Sequence, residues 1–149
     1  MSVFNSMMQY FSSFQPGFRE VDGGDCLTLA KLFCSPTTGF TAFAGGGATN
    51  AVQLPLGPSR LDVVATNADS VKLPPAIPGA ICIVYNGGAA NAQVFGQQAN
   101  QGGLAAGDQI TINNSVTPAA VATGVVQNTA VMAIYYCFVV GVWKQMISA

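Results

Sequence analysis

Residues 131–139 read VMAIYYCFV, and as a strand this stretch has no face suited to water. Strand side chains alternate, so one face carries Val131, Ala133, Tyr135, Cys137 and Val139 and the other Met132, Ile134, Tyr136 and Phe138. Residues 80–85 (AICIVY) behave the same way, with Ile81, Ile83 and Tyr85 opposite Cys82 and Val84. A sheet with one wet face alternates apolar with polar residues, as QITIN does at 109–113. Both faces of the two apolar runs therefore need cover, either from a second layer of the same chain or from another subunit. A membrane is the remaining alternative. The longest apolar run, 130–143, falls short of the ~20 residues of a spanning helix and is rich in β-branched and aromatic side chains, which favours buried strands. No membrane partner is expected.

Charge is scarcest in this same region: between residues 73 and 143 the sole charged side chain is Asp108. The whole chain of 149 residues holds five Lys and Arg, six Asp and Glu, and no His, and its mean hydropathy is +0.43. A folded monomer of this mass exposes roughly 7,000 Å², about one charge per ~650 Å². Gln and Asn are left to keep the exposed loops wet, and a near-neutral surface of this kind favours association. Five scattered cations make no basic stripe for phosphates, so nucleic acid is not expected as a partner. Without histidine, the commonest general base and zinc ligand is absent. The four cysteines (Cys26, Cys34, Cys82, Cys137) show no CxxC spacing, which points to reduced, mostly buried thiols. The first 15 residues lack the positive region and cleavage site of an export signal.

Three regions follow from the patterning. Residues 1–18 form an aromatic arm. On a helical wheel Phe4, Met7, Met8, Phe11, Phe14 and Phe18 gather on one side and the serines mostly on the other, which predicts an amphipathic helix ending near Pro16-Gly17. It packs either on its own domain or on a partner protein. Residues 19–38 read as a short helical connector, with Asp25 as the N-cap of a helix through Phe33. Residues 39–149 read as a β-domain. Apolar or alternating runs recur at 40–44, 51–54, 61–66, 70–73, 80–85, 93–95, 109–113, 121–126, 131–138 and 142–147, with Gly, Pro and Asn turn formers between them. The predicted fold is all-β, a β-sandwich or jelly-roll-like domain with a short N-terminal helical arm.

Chemistry-bearing motifs are few. The AGGGATN stretch at 44–50 lacks the lysine and hydroxyl residue of a phosphate loop and reads as a connector. Asp22 and Asp25 have no further acidic oxygens nearby for calcium. Ser35 and Ser59 have no base partner in the sequence. Tyr85, Tyr135, Tyr136 and Trp143 suit core or protein-interface packing as well as sugar stacking. No catalytic residue, cofactor or metal is expected, and the chain is read as a non-enzyme. Met132, Ile134, Tyr136, Phe138 and Trp143 are the expected oligomer-interface residues.

The order of segments adds a resemblance. VKLPPAIPG at 71–79 is followed by AICIVYNGGAANAQVFG, then DQITIN at 108–113, VATGVVQNTAVMAIYYC at 121–137 and VGVW at 140–143. This succession resembles a β-domain that recurs in small virion structural proteins of tailed bacteriophages. The similar positions are 70–79, 84–95, 108–113, 135–137 and Trp143, and VDGGDCLTLAKLF (21–33) and AGGGATNAVQL (44–54) look similar to the part preceding that domain. The resemblance covers about 21–146 and departs in the insert at 97–107 and in SVTPAA at 115–120. It implies a capsid decoration or cement protein on the exterior of the virion, made in the host cytoplasm. Such a protein sits between subunits of the major capsid protein, as a homotrimer. The alternative it leaves open is a fibre, spike or tail module whose loops at 97–107 and 113–118 meet host glycan.

Overall fold

The computed structural model describes residues 20–21, 24–27, 36–99, 106–112 and 115–147. The arm residues Phe4, Met7, Met8, Phe11, Phe14 and Phe18 lie outside them. The chain divides into two compact units, Met1–Ser35 and Pro36–Ala149.

In the first unit β1 (Glu20–Val21) pairs antiparallel with β2 (Gly24–Leu27), with Val21 opposite Gly24 and Glu20 opposite Leu27. This corrects the predicted helix start at Asp25. Two residues, Asp22-Gly23, separate the paired ends, and Asp-Gly between extended segments is among the strongest short hairpin signals. The rest of the predicted helix, 28–33, lies outside the described residues.

The second unit is all-β. Its strands are β3 (Thr37–Thr41), β4 (Val52–Gln53), β5 (Gly57–Val63), β6 (Ser70–Lys72), β7 (Ile81–Asn86), β8 (Ala92–Phe95), β9 (Gln109–Ile112), β10 (Val125–Gln127), β11 (Met132–Val139) and β12 (Val142–Ile147). Each of the ten predicted runs contains part of one of them. Two sheets result, a six-stranded one in the order β3-β5-β7-β11-β12-β9 and a four-stranded one in the order β10-β8-β6-β4.

From β3 to β8 the chain alternates between the sheets. Odd strands β3, β5 and β7 pair in parallel in the large sheet, and even strands β4, β6 and β8 pair in parallel in the small one. Parallel neighbours need a long crossover, and here each crossover passes through a strand of the opposite sheet. The corners are tight. Three residues, Leu54-Pro55-Leu56, carry the chain from β4 to β5, and Gly57 takes the bend at φ 88°, where an L side chain would be strained. The pairing after β8 changes character. Strand β10 runs antiparallel to β8, and the β11–β12 hairpin runs antiparallel to β7, with β9 parallel on its far side. The parallel winding of β3 to β8 is a correction to the jelly-roll expectation, since a jelly roll is built from antiparallel Greek keys.

One hydrophobic cluster draws on both sheets. The large sheet contributes Leu61, Val84, Ile110, Ala133, Tyr135, Cys137 and Trp143, and the small sheet Val71, Ala92, Val94 and Val125. Trp143 and Tyr135 are the largest fully buried side chains. Burying such side chains contributes about 1.5–3 kcal/mol apiece.

Candidate functional site

The register of the large sheet shows what lies on the side away from this core. Strand β11 places Met132 beside Tyr85, Ile134 beside Ile83, and Tyr136 beside Ile81 on β7. On its other flank Ile134 meets Met146 and Tyr136 meets Lys144 of β12, and Lys144 is next to Thr111 of β9. Rows such as Ile83–Ile134–Met146 therefore cross three strands with no polar side chain. The exposure is substantial, at 67% for Phe138, 43% for Met132, 42% for Met146 and 38% for Tyr85. Tyr136 and Phe138, two apart on the strand, form an edge-on ring pair with centroids 4.3 Å apart.

Among the described residues, charge on this side of the sheet comes from Arg60 and Asp62 on β5 and from Lys144 on β12, which lies beside Tyr136 between Val142 and Met146. On the β5 side Arg60 and Asp62 pair with each other at 2.6 Å, and on the β9 side Lys144 Nζ donates to the Ser115 carbonyl at 2.6 Å. Beside Lys144 lies a shallow groove of about 300 Å³ lined by Thr111, Ser115, Val116, Phe138, Val139 and Val142. Its apolar rim continues the face towards the β11–β12 turn.

Four of the five expected interface residues, Met132, Ile134, Tyr136 and Phe138, share this outer face. The fifth, Trp143, does not, and its assignment is corrected. It lies opposite Cys137 and Ile110, both on the inner side, and is fully buried. The outer face also takes in Ile81, Ile83, Tyr85, Val142 and Met146. For β7 the signal was its two-sided apolarity. For β12 there was none, because Val-Lys-Met and Trp-Gln-Ile alternate with similar polarity.

The inner side of the same strands is unusual in being polar at chosen points. Tyr135 Oη donates to Gln127 Oε1 at 3.1 Å and accepts from Gln145 Nε2 at 2.9 Å. Gln127 Nε2 donates to the Val131 carbonyl, and Asn86 Nδ2 donates to the carbonyls of Ala90 and Gln127. Gln97 Nε2 donates to the Leu73 carbonyl at 2.7 Å. Asn86, Gln97, Gln127 and Gln145 are all buried, which corrects the expectation that amides serve the wet loops. Buried amides persist because their donors and acceptors are met. Asp108, also buried, accepts from the Ala76 amide through Oδ2 at 2.8 Å and so ties the 73–80 segment to the start of β9. Burial raises its pKa.

The thiols are equally inward. Cys82 and Cys137 are free and buried, and burial pushes the Cys82 thiol up to about 12 and that of Cys137 above its ordinary value. A neutral buried thiol is a poor nucleophile and a poor metal ligand. Among the described residues no three Cys, Asp or Glu side chains converge to hold a metal, and no helix is long and apolar enough to cross a membrane. Compared with known proteins, the chain matches no family model, no curated protein and no solved structure.

Proposed function

We propose that this chain is a non-catalytic assembly subunit, a bacteriophage capsid decoration or cement protein. It stabilises the head shell by binding between subunits of the major capsid protein on the outside of the particle. The observation that carries this reading is the apolar outer face of the large sheet, which suits a surface buried in permanent contacts. The order of segments resembling phage virion proteins supplies the particle. In this reading the two sheets form a β-sandwich, copies join as a homotrimer, and the arm at 1–18 grips a neighbour through Phe4, Met7, Met8, Phe11, Phe14 and Phe18. Stabilisation is additive. At roughly 25 cal/mol per Å², ~400 Å² of apolar contact per copy contributes on the order of 10 kcal/mol before the entropy of association is subtracted.

Quantitative mass spectrometry of purified particles tests it. A copy number comparable to that of the major capsid protein is expected. A handful of copies per particle rejects the decoration role in favour of a fibre, spike or tail module, and binding to a glycan array would then identify the ligand.

A further inference from the structure

We infer that Asn86-Gly87 is a covalent modification site that the fold keeps shut. When the two sheets separate, the Asn86 side chain loses its amide as ammonia, and the product cannot rebuild the native joint. This inference stands apart from the assembly reading above.

The chain contains a single Asn-Gly pair. In an unconstrained chain such a pair reacts with itself, because glycine has no Cβ to shield its nitrogen from the preceding side chain. The Gly87 nitrogen gives up its proton and attacks Asn86 Cγ. A bond forms between that nitrogen and Cγ, the Cγ–Nδ2 bond breaks, and the amide takes up a proton and leaves as ammonia. Water then opens the cyclic succinimide at either carbonyl. The product is aspartate or, with the backbone rerouted through the side chain, isoaspartate. Nothing is oxidised or reduced, and water is the only co-reactant.

In the folded chain neither reactant is free to move. Asn86 ends β7 and is fully buried. Its Nδ2 donates to the Ala90 carbonyl at 2.9 Å and to the Gln127 carbonyl at 3.0 Å, and its Oδ1 accepts from the Gly88 amide at 3.0 Å. The attacking nitrogen is pinned as well, since the Gly87 N–H donates to the Leu61 carbonyl at 2.8 Å. Asn86 lies in the large sheet and Gln127, on β10, in the small one. The lock therefore holds only while the two sheets are together.

Packing accounts for the presence of so reactive a pair. A Cβ at position 87 would lie 3.1 Å from the Leu61 carbonyl oxygen, and one at 88 would lie 2.6 Å from Val64. Position 86 needs a short side chain that both donates twice and accepts, which an asparagine amide provides. The same joint makes the reaction one-way. A carboxyl group at 86 turns an oxygen towards the Ala90 and Gln127 carbonyls, which are themselves acceptors, in a place without water. Isoaspartate also lengthens the backbone where β7 meets Leu61 of β5.

Peptide mapping by mass spectrometry of the full-length chain, incubated at mildly alkaline pH in buffer and in guanidinium, tests the lock. In guanidinium Asn86 should convert ahead of every other asparagine. In buffer it should convert at least about a hundredfold more slowly, because the reaction waits for rare opening of the fold. Comparable rates in the two solvents overturn the inference. Asn86→Asp installs the product directly and should unfold at a lower denaturant concentration than the wild type or fail to fold. A wild-type midpoint for this variant overturns the one-way step.

Discussion

Tyr135 and Tyr136 are neighbours in β11, with the same type of ring, and they occupy opposite environments. Tyr135 points inward with Ala133 and Cys137, is fully buried, and has its hydroxyl held by two glutamines. Tyr136 points outward with Ile134 and Phe138 and rests edge-on against Phe138. By residue type the two faces are almost interchangeable. What separates them is what they meet. The inner face meets a second sheet whose Gln127 supplies a matching polar atom, and the outer face ends in exposed Phe138 and Met146. Apolarity tells how much cover a strand needs, whereas a satisfied buried hydroxyl identifies the cover that its own chain supplies.

The contrast predicts a steep difference in stability between the faces. Trp143→Ala, on the inner side, should cost about 3–5 kcal/mol in urea unfolding, because an emptied ring-sized site cannot fully collapse. A loss below about 1 kcal/mol would mean that the inner layer is far looser than its burial indicates.

A smaller effect comes from two carboxyls of opposite sign. The Thr66 hydroxyl, followed by the amides of Thr66 and Ala65, stabilises the Asp69 carboxylate and lowers its pKa below the ordinary 3.8. Its contribution is therefore present above 3.8 and lost as pH falls through the lowered value. Asp108 is raised above 3.8 by burial, so the native state holds that proton more tightly than the unfolded chain. Its effect is most favourable at low pH and declines as pH rises from 3.8 through the raised value. Unfolding free energies between about pH 3 and pH 7 should lose their decline with rising pH in Asp108→Asn and lose their acid-side fall in Asp69→Asn. Identical pH profiles for the two variants would contradict the assignment.

The smallest effect belongs to the outer face. Phe138→Ser should change the stability of the dilute chain by no more than about 0.5 kcal/mol. A loss approaching that of Trp143→Ala would show that the outer face is packed within a single chain, and the comparison between faces would fail.

Much of the strand pattern was legible in the sequence. All ten runs from residue 40 onward contain strand, because β-branched and aromatic clusters between Gly, Pro and Asn turns leave few alternatives. The winding was not legible. Connections such as Leu54-Pro55-Leu56 look like any short turn, and nothing in their residues says that the next strand joins the opposite sheet. Nor did residue type separate inside from outside. Aromatic type alone suits Trp143 to an interface, and amides as a class suit exposed loops, yet Trp143, Gln127 and Gln145 are all buried. Register reverses both, since a strand shifted by one residue exchanges its faces. Asp22-Gly23 is a turn signal for the β1–β2 hairpin, while Asp25 offers the competing signal of a helix cap.

The place of β12 in the large sheet bears on how the protein is made. Strand β9 has β12 as its neighbour in the sheet, yet about 30 residues separate them in the chain. On a ribosome adding some 5–20 residues per second, β9 emerges well before its partner and waits unpaired, with Ile110 still lacking its cover. The coil from β3 to β8 needs no such delay, because each turn finds its neighbour in the turn just made. Synthesis would therefore leave one half of the domain able to form while the other half awaits the final hairpin. The β11–β12 hairpin is the step that closes the core.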